Sequence, residues 1–285
     1  MEGAGVKLRR GFGFGDTSEF DPFLLFDDFR NERPDDYLAG FPWHPHRGIE
    51  TITYVLAGTV DHGDSLGNRG SLAAGDVQWM TAGSGIMHQE MPKGDPAGRM
   101  HGFQLWANLP RALKMTAPRY QDVLAKDIPE ITDDDGTHVR VVCGEFWGQK
   151  GPVEGVAADP RYLDISVAPG KTKRLAVESS RHAFAYVFAG SGSFRDASNP
   201  LPIQTELVGV SDDPTPSMRG NRSLVLFDSG DEITVSAGDE GIRFLLVSGR
   251  PLEEPVAWYG PIVMNTKQEI RQAYAELQDG TFIKP

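Results

Sequence analysis

The sequence contains little cysteine and no long apolar run, and each shortage excludes a class of protein. Cys143 is the only cysteine in 285 residues, which excludes an internal disulfide and any thiolate-rich zinc site. No apolar segment approaches the ~20 residues that a membrane-spanning helix requires. The N-terminal stretch MEGAGVKLRRGFGFG lacks the apolar core of a secretory signal. We therefore expect a cytoplasmic protein that does not bind a membrane.

Basic residues are also in short supply. The chain has 28 Lys and Arg against 40 Asp and Glu, a net charge of −12, and its densest basic run is only KLRR, residues 7–10. Because an acidic surface repels phosphate backbones, we expect no direct nucleic-acid binding. We expect a monomer, and no feature of the sequence identifies a protein partner.

Short segments rich in β-branched and aromatic residues, separated by Gly, Asp and Asn, dominate the chain. IETITYVLAGTV, GFQLWANL and GIRFLLVSG are typical examples. This pattern predicts an all-β sandwich or barrel architecture. One helix is predicted near the C-terminus, where Thr266 and Glu269 form a capping box and Ile270, Ala273 and Leu277 form an apolar stripe.

An internal repeat predicts two related barrels. TYVLAG (53–58) returns as AYVFAG (185–190), and GDVQWMTAG (75–83) returns as GDEITVSAG (230–238). We place the boundary in the Gly- and Pro-containing stretch near residue 150. The predicted domains are therefore an N-terminal barrel, 1–150, and a C-terminal barrel with the helix, 151–285.

Histidine is rare, with seven residues in the chain, yet four chemically apt side chains come in two close pairs. His44 and His46 stand at i and i+2 in FPWHPHRGIE, and His88 and Glu90 have the same spacing in GIMHQEMP. Side chains at i and i+2 of a strand share a face, so each pair can aim at one point. Three imidazoles and a carboxylate suit Fe(II), Ni(II), Cu(II), Mn(II) or Zn(II), and leave open positions on a six-coordinate ion.

Spacing alone leaves Glu50 as a rival to Glu90, with the alternative role of orienting an imidazole. The repeat offers a comparison within the chain. Aligning the Ala-Gly strands sets Ala176 and Glu178 opposite His44 and His46, and aligning the Gly-Asp turns sets Arg243 and Leu245 opposite His88 and Glu90. The second copy thus lacks the polar set, which favours a metal site in the first copy over two pairs of core histidines.

Other residues near these pairs are candidates for a substrate pocket. Arg47 is predicted to hold a substrate or to pair with an acid, with a surface charge at a strand end as the alternative. The aromatic and methionine side chains that could line an apolar pocket for a flat substrate, or equally pack in the core, are Phe41, Trp43, Trp79, Met80 and Met87.

Five segments together resemble the pirin family, a two-barrel branch of the cupin superfamily: DPFLLFDDF, FPWHPHRGIETITYVLAG, GDVQWMTAGSGIMHQEMP, FQLWANLP and EPVAWYGPIVMNT. The resemblance covers almost the whole chain apart from an insertion within 196–221 and a short C-terminal tail. It implies two tandem jelly-roll-like cupin barrels. It also implies one divalent metal ion, with Fe(II) the first expectation, bound in the N-terminal barrel by His44, His46, His88 and Glu90.

The resemblance further implies a quercetin 2,3-dioxygenase-like oxidoreductase that opens the ring of a small aromatic substrate such as a flavonol with O₂. In that function Glu90 is the expected proton acceptor. The alternative is an iron- or redox-sensing regulatory protein that acts through protein partners. A third hypothesis is an enzyme of different chemistry, such as an isomerase, because a cupin fold does not fix the reaction.

Overall fold

The computed structural model describes residues 3–195 and 219–284, which form two compact units. The first unit combines Met1–Asp127 with Leu252–Pro285, and the second is Ile128–Pro251. Nearly all of the predicted insertion, 196–221, lies outside the described residues. None of the described helices is long and apolar enough to cross a membrane.

The first unit is built from antiparallel strands and short 3₁₀ turns. In chain order its strands are β1 (Arg9–Phe12), β2 (Phe23–Asp28), β3 (Phe41–His46), β4 (Ile49–Ala57), β5 (Thr59–Asp64), β6 (Arg69–Leu72), β7 (Val77–Thr81), β8 (Ile86–Lys93), β9 (His101–Asn108) and β10 (Arg119–Val123). Its 3₁₀ turns are Pro34–Asp36, Arg111–Leu113 and Ala125–Asp127.

These strands form two sheets whose inner faces meet. One sheet has the order β1-β2-β9-β4-β7-β10 and the other has the order β3-β8-β5-β6. A hydrogen bond from Thr53 on β4 to Glu90 on β8 joins the two inner faces. Strand alternation therefore decides which side chains enter the space between the sheets.

The second unit repeats the antiparallel pattern with longer strands. Its strands are β11 (Glu130–Thr132), β12 (His138–Cys143), β13 (Glu145–Phe146), β14 (Gln149–Lys150), β15 (Arg161–Val167), β16 (Thr172–Ala176), β17 (His182–Arg195), β18 (Arg219–Gly220), β19 (Ser223–Leu226) and β20 (Glu232–Gly249). The main sheet has the order β11-β12-β15-β20-β17-β18, while β16 pairs with β20 and β19 pairs with β17. An apolar cluster of buried residues that includes Leu163, Ala185 and Leu246 fills this unit.

The chain then returns to the first unit through a C-terminal segment. It contains β21 (Ala257–Tyr259), β22 (Ile262–Met264) and α1 (Lys267–Gln278). The predicted capping box is confirmed, because Thr266 and Glu269 exchange side-chain to backbone hydrogen bonds. The predicted stripe also packs as expected, with Ala273 fully buried against Ile262 and Phe282. The all-β prediction with a C-terminal helix is confirmed.

The two units do not coincide with the predicted domains 1–150 and 151–285. β12 pairs along its length with β15, so the chain already belongs to the second unit before residue 150. The helix, in turn, packs in the first unit and not in the second. Sequence composition marked a loop between β14 and β15 but carried no signal for these long-range pairings.

Candidate metal centre

Two neighbouring antiparallel strands bring the three predicted histidines together. β3 pairs with β8 in a register that sets His44 opposite His88, and His46 follows His44 on the same face. The ligand nitrogens of the three imidazoles all lie within 4.8 Å of one another. His46 and His88 are buried and His44 is partly buried. The cluster therefore faces the interior of the first unit.

Backbone carbonyls hold two of the rings in one tautomer. Nδ1 of His44 lies 2.8 Å from the carbonyl oxygen of Pro42, and Nδ1 of His46 lies 3.1 Å from that of Pro261. A carbonyl only accepts, so we assign the proton to each Nδ1 and leave each Nε2 with its lone pair. The two Nε2 atoms are 3.1 Å apart. Two facing lone pairs at this distance repel each other unless a cation binds beside them.

The third ring, His88, is 1% exposed, and neither of its nitrogens has a hydrogen-bond partner in the part of the chain that the structure describes. Buried polar groups are normally satisfied, so this exception calls for a ligand. Burial lowers the pKa of His44, and burial with the neighbouring imidazoles lowers the pKa of His46 and His88 well below the usual value. Neutral imidazoles are the form that binds metal, and these residues fit one metal ion.

Glu90, the fourth predicted ligand, lies near this cluster without belonging to it among the described residues. Its Oε1 accepts a hydrogen bond of 2.9 Å from the Thr53 hydroxyl. Burial raises the pKa of Glu90 to about 7, although the Thr53 hydrogen bond lowers it. The side chain lines the same cavity as His44 and His46. Ligation of a metal by Glu90 therefore remains a prediction.

Glu50, the rival to Glu90, lies on the other face of its sheet. It is separated by three positions from Thr53 in a regular stretch of β4, so the two side chains point to opposite faces. Glu50 accepts a 2.8 Å hydrogen bond from Thr81 on β7. Since Thr53 contacts Glu90, the structure favours Glu90 over Glu50 as a neighbour of the histidines.

Arg47 pairs with an acid, which is one of its predicted roles, and it is not a surface charge, because it is only 2% exposed and fastens the C-terminal segment. Its Nη2 donates to Glu276 at 2.7 Å and to the carbonyl of Phe282 at 2.9 Å, and its Nε donates to the carbonyl of Ser84 at 2.7 Å. The guanidinium also lies 4.2 Å from the centre of the Phe282 ring. The strand that carries two histidines is thus tied to the end of the chain.

We expect Glu276→Gln to destabilise the protein at neutral pH by about 1.5–3 kcal/mol, because it weakens charge-assisted hydrogen bonds to buried Arg47. Desolvation raises the pKa of Glu276, but hydrogen bonds from Lys284, Gln272 and Arg47 outweigh it and lower the value to about 2. The carboxylate therefore stabilises the fold above its unfolded pKa, and this contribution is lost as the pH falls through about 2.

Urea unfolding at several pH values measures this effect, and exposed Glu240→Gln serves as the matched control. The stability difference between the Glu276→Gln variant and the unaltered chain should be largest near neutral pH and should shrink under acid conditions. A difference that stayed constant or grew on acidification would contradict the role given to the carboxylate.

A cavity of about 610 Å³ is lined by His44, His46 and Glu90. This volume falls within the ~300–1,000 Å³ typical of small-molecule sites. Phe41 and Trp43 line it as predicted, whereas Trp79, Met80 and Met87 are not among its lining residues. Trp79 follows inward-facing Gln78 on β7 and so points to the opposite face of the sheet.

An aromatic wall that the sequence motifs did not predict stands next to His46. The ring of Trp106 stands edge-on to His46 at 4.9 Å between centroids, and Trp258 lies 6.0 Å beyond Trp106. Gln104 and Trp106 stand at i and i+2 of β9 and so share a face of the strand. The sequence FQLWANL contains this spacing, so the shared face could have been predicted. Trp258 and Pro261 come from the C-terminal segment, and no local pattern places them at this site.

Strand register in the second unit corrects the repeat alignment. Thr53 and Ala185 do occupy equivalent places, since Thr53 pairs with Gln104 as Ala185 pairs with Leu246. However, GDEITVSAG forms the start of β20, which pairs with β16 as β8 pairs with β3. It therefore corresponds to β8, the strand of His88 and Glu90, and not to β7.

The register then identifies the second unit's counterparts of the four polar residues. Phe194 lies four residues after Gly190 and pairs with Val235, as His62 lies four after Gly58 and pairs with Glu90. Extending this match along the paired strands gives the counterparts of His44, His46, His88 and Glu90 as Leu175, Val177, Ile233 and Val235. All four are buried in the apolar core of the second unit. The second copy does lack the four polar side chains, but Ala176, Glu178, Arg243 and Leu245 were the wrong counterparts.

Comparison with protein families finds two matches along the chain. The family model Pirin matches residues 5–107, and the model described as the pirin C-terminal cupin domain matches residues 162–283. Together with the strand content of both units, these matches confirm the predicted pair of cupin domains.

Individual proteins are similar over nearly the full length. A pirin-like protein of Caulobacter vibrioides is 42% identical over 282 residues, covering 99% of this chain and 94% of that protein. Human pirin is 38% identical over 281 residues, covering 98% of this chain and 88% of its own. A solved structure of quercetin 2,3-dioxygenase from Acinetobacter baumannii is 33% identical with a TM-score of 0.84, covering 99% of this chain and 93% of the other.

Proposed function

This chain belongs to the pirin family, and from that membership we propose that it is a metal-dependent dioxygenase that opens the ring of quercetin-like flavonols with O₂. The proposed ligands are His44, His46, His88 and Glu90, and the proposed ion is one Fe(II) per chain. The similar Acinetobacter baumannii structure is a quercetin 2,3-dioxygenase, which supports this reaction class.

One observation carries the proposal: unpaired imidazole nitrogens converge beside a cavity of the right size. A cation would be stabilised by three sets of nitrogen lone pairs at this point. They belong to Nε2 of His44, Nε2 of His46 and the unpartnered ring of His88. Three imidazoles and one carboxylate would leave a six-coordinate ion two positions for substrate and O₂. The second unit, whose counterpart residues are apolar, has no such donor set among its described residues.

A metal held by His44, His46, His88 and Glu90 would supply Lewis-acid and redox chemistry for the reaction of the flavonol with O₂. The residues of the chain perform the other tasks. Glu90 accepts the proton of the substrate 3-hydroxyl, because it is a carboxylate in the cavity wall that no arginine of the described residues neutralises. The nearby wall carboxylate Asp27 is instead held in a two-point ion pair by Arg10.

The aromatic side chains position the substrate. Trp106 and Trp258 present apolar faces along one wall, and Phe41 and Trp43 line another part of the same cavity. Flat aromatic rings pack well against such walls and displace water from the reacting oxygen. The carbonyls of Pro42 and Pro261 keep His44 and His46 oriented while the substrate binds.

The test joins metal analysis to turnover. The chain is purified without oxygen and loaded with Fe(II), and the loss of quercetin absorbance is followed with O₂ uptake and carbon monoxide release. We expect about one metal per chain and equal amounts of quercetin consumed, O₂ consumed and carbon monoxide formed. Glu90→Gln should lower turnover by at least about 100-fold, since a positioned general base contributes ~10²–10⁴-fold.

His182→Ala in the second unit is the control, and it should retain both metal and turnover. One metal per chain without O₂-dependent loss of quercetin would contradict the dioxygenase proposal. That result would favour the alternative, an iron- or redox-sensing regulatory protein.

A further inference from the structure

We infer that Thr53 and Gln104 are positioning residues that fix the orientation of the Glu90 carboxylate toward the metal. The inference rests on the proposed function in one respect, namely that Glu90 is a metal ligand. It assigns to β4 and β9 a role that neither the histidine spacing nor the family match specifies.

The contact between Thr53 and Glu90 is short, buried and directional. The Thr53 side chain is 2% exposed and its hydroxyl lies 2.9 Å from Oε1 of Glu90. A carboxylate only accepts, so the hydroxyl proton points at Oε1. This bond occupies one oxygen from the side of β4 and leaves Oε2 as the oxygen available to a cation in the cavity.

Gln104 extends the chain of hydrogen bonds. Its Oε1 lies 3.1 Å from the same Thr53 hydroxyl, while its buried Nε2 has no partner among the described residues. One hydroxyl proton cannot serve two acceptors at once. Exchanging the amide oxygen and nitrogen of Gln104 removes the conflict, because Nε2 then donates to Thr53 and Thr53 donates to Glu90. Such a relay holds the hydroxyl in a single rotamer.

The second unit supplies a comparison within the same molecule. The counterparts of Thr53, Gln104 and Glu90 are Ala185, Leu246 and Val235, which are all buried and apolar. The three polar residues are therefore present together in the unit with the histidines and replaced together in the other. If Thr53 and Gln104 only filled space, they would not need to occur in the same unit as the Glu90 carboxylate.

Partners that orient metal ligands typically change metal affinity by ~10–100-fold when they are removed. Thr53→Val keeps the shape of the side chain and deletes the hydroxyl, so we expect Co(II) to bind ~10–100-fold more weakly. The visible absorbance of bound Co(II) reports its ligand number and geometry. It should shift in the same direction as in Glu90→Gln, because Thr53→Val loosens the carboxylate that Glu90→Gln replaces with an amide.

Two variants make this test specific. Thr53→Ser keeps the hydroxyl and should restore both the affinity and the spectrum. Thr81→Val is the matched control, since Thr81 is also buried and donates to a carboxylate, Glu50, on the opposite face of the sheet. It should leave the Co(II) spectrum unchanged.

Gln104→Leu, which installs the residue of the second unit, provides an independent measurement if Thr53→Val does not fold. A Thr53→Val or Gln104→Leu protein with the affinity and spectrum of the unaltered chain would overturn the inference. The readout here is Co(II) binding and not turnover, so the two hypotheses can fail separately. Failure of the proposed function would appear instead as bound Fe(II) without quercetin turnover.

Discussion

Replacing His88 with alanine is expected to abolish stoichiometric metal binding while the protein remains folded. The His88 side chain makes no hydrogen bond among the described residues, so its removal breaks none in the metal-free protein. A metal ion, in contrast, loses one of its three imidazoles. Loss of an outer-shell partner alone costs about 10–100-fold in affinity, so loss of a direct ligand should cost more than about 100-fold.

Metal analysis after gel filtration and thermal unfolding with and without Fe(II) together measure this prediction. In the unaltered chain, metal at 100 times its dissociation constant should stabilise the fold by about 2.7 kcal/mol. The His88→Ala protein should show a cooperative transition that added metal does not move. His182→Ala is the control and should behave like the unaltered chain. Full metal content in His88→Ala would exclude His88 as a ligand.

Strand alternation explains why the histidines could be predicted from sequence. Two residues at i and i+2 share a face whatever the rest of the fold does, so His44 and His46 had to point the same way. The pairing of β3 with β8 then needed only that two predicted strands be neighbours. Spacing alone could not exclude Glu50 as a metal ligand. Its distance from His46 in the sequence does not reveal that its side chain points to the opposite face of the sheet from Thr53.

The contribution of the C-terminal segment could not be predicted. Pro261 is separated by 215 residues from His46, whose Nδ1 faces its carbonyl oxygen, and a backbone carbonyl leaves no mark in the sequence. Trp258 lines the cavity from the same segment. Since this segment follows the second unit along the chain, the first unit is discontinuous in sequence, and its contacts are set by tertiary packing.

The internal repeat correctly indicated that the second half lacks the polar side chains. It was misleading about which strands of the two halves correspond. The two Gly-Asp turns look alike because Gly and Asp suit tight turns wherever a strand begins. One of these turns precedes β7, whereas the other precedes the start of β20, which corresponds to β8. Hydrogen-bonded pairing was needed to show that the apolar residues of the second unit replace the polar ones position by position.

That correspondence leads to the second large prediction, in which six polar residues inside the first unit are replaced by their counterparts from the second unit. We expect the resulting protein to fold, to bind no metal, and to exceed the metal-free unaltered chain in stability by about 1–3 kcal/mol, the cost of one buried unsatisfied polar group. The six substitutions are His44→Leu, His46→Val, Thr53→Ala, His88→Ile, Glu90→Val and Gln104→Leu.

The physical reason is that most of these polar side chains are buried, and several of their nitrogen atoms have no hydrogen-bond partner among the described residues. Without a cation, the facing nitrogens of His44 and His46 and the unpartnered ring of His88 cost free energy that apolar side chains avoid. Urea unfolding of both proteins in the presence of a chelator measures the difference. His88→Ile alone, the partial control, should lose the metal and recover part of the stability. If the variant with six substitutions is less stable than the metal-free unaltered chain, the polar interior also stabilises the fold.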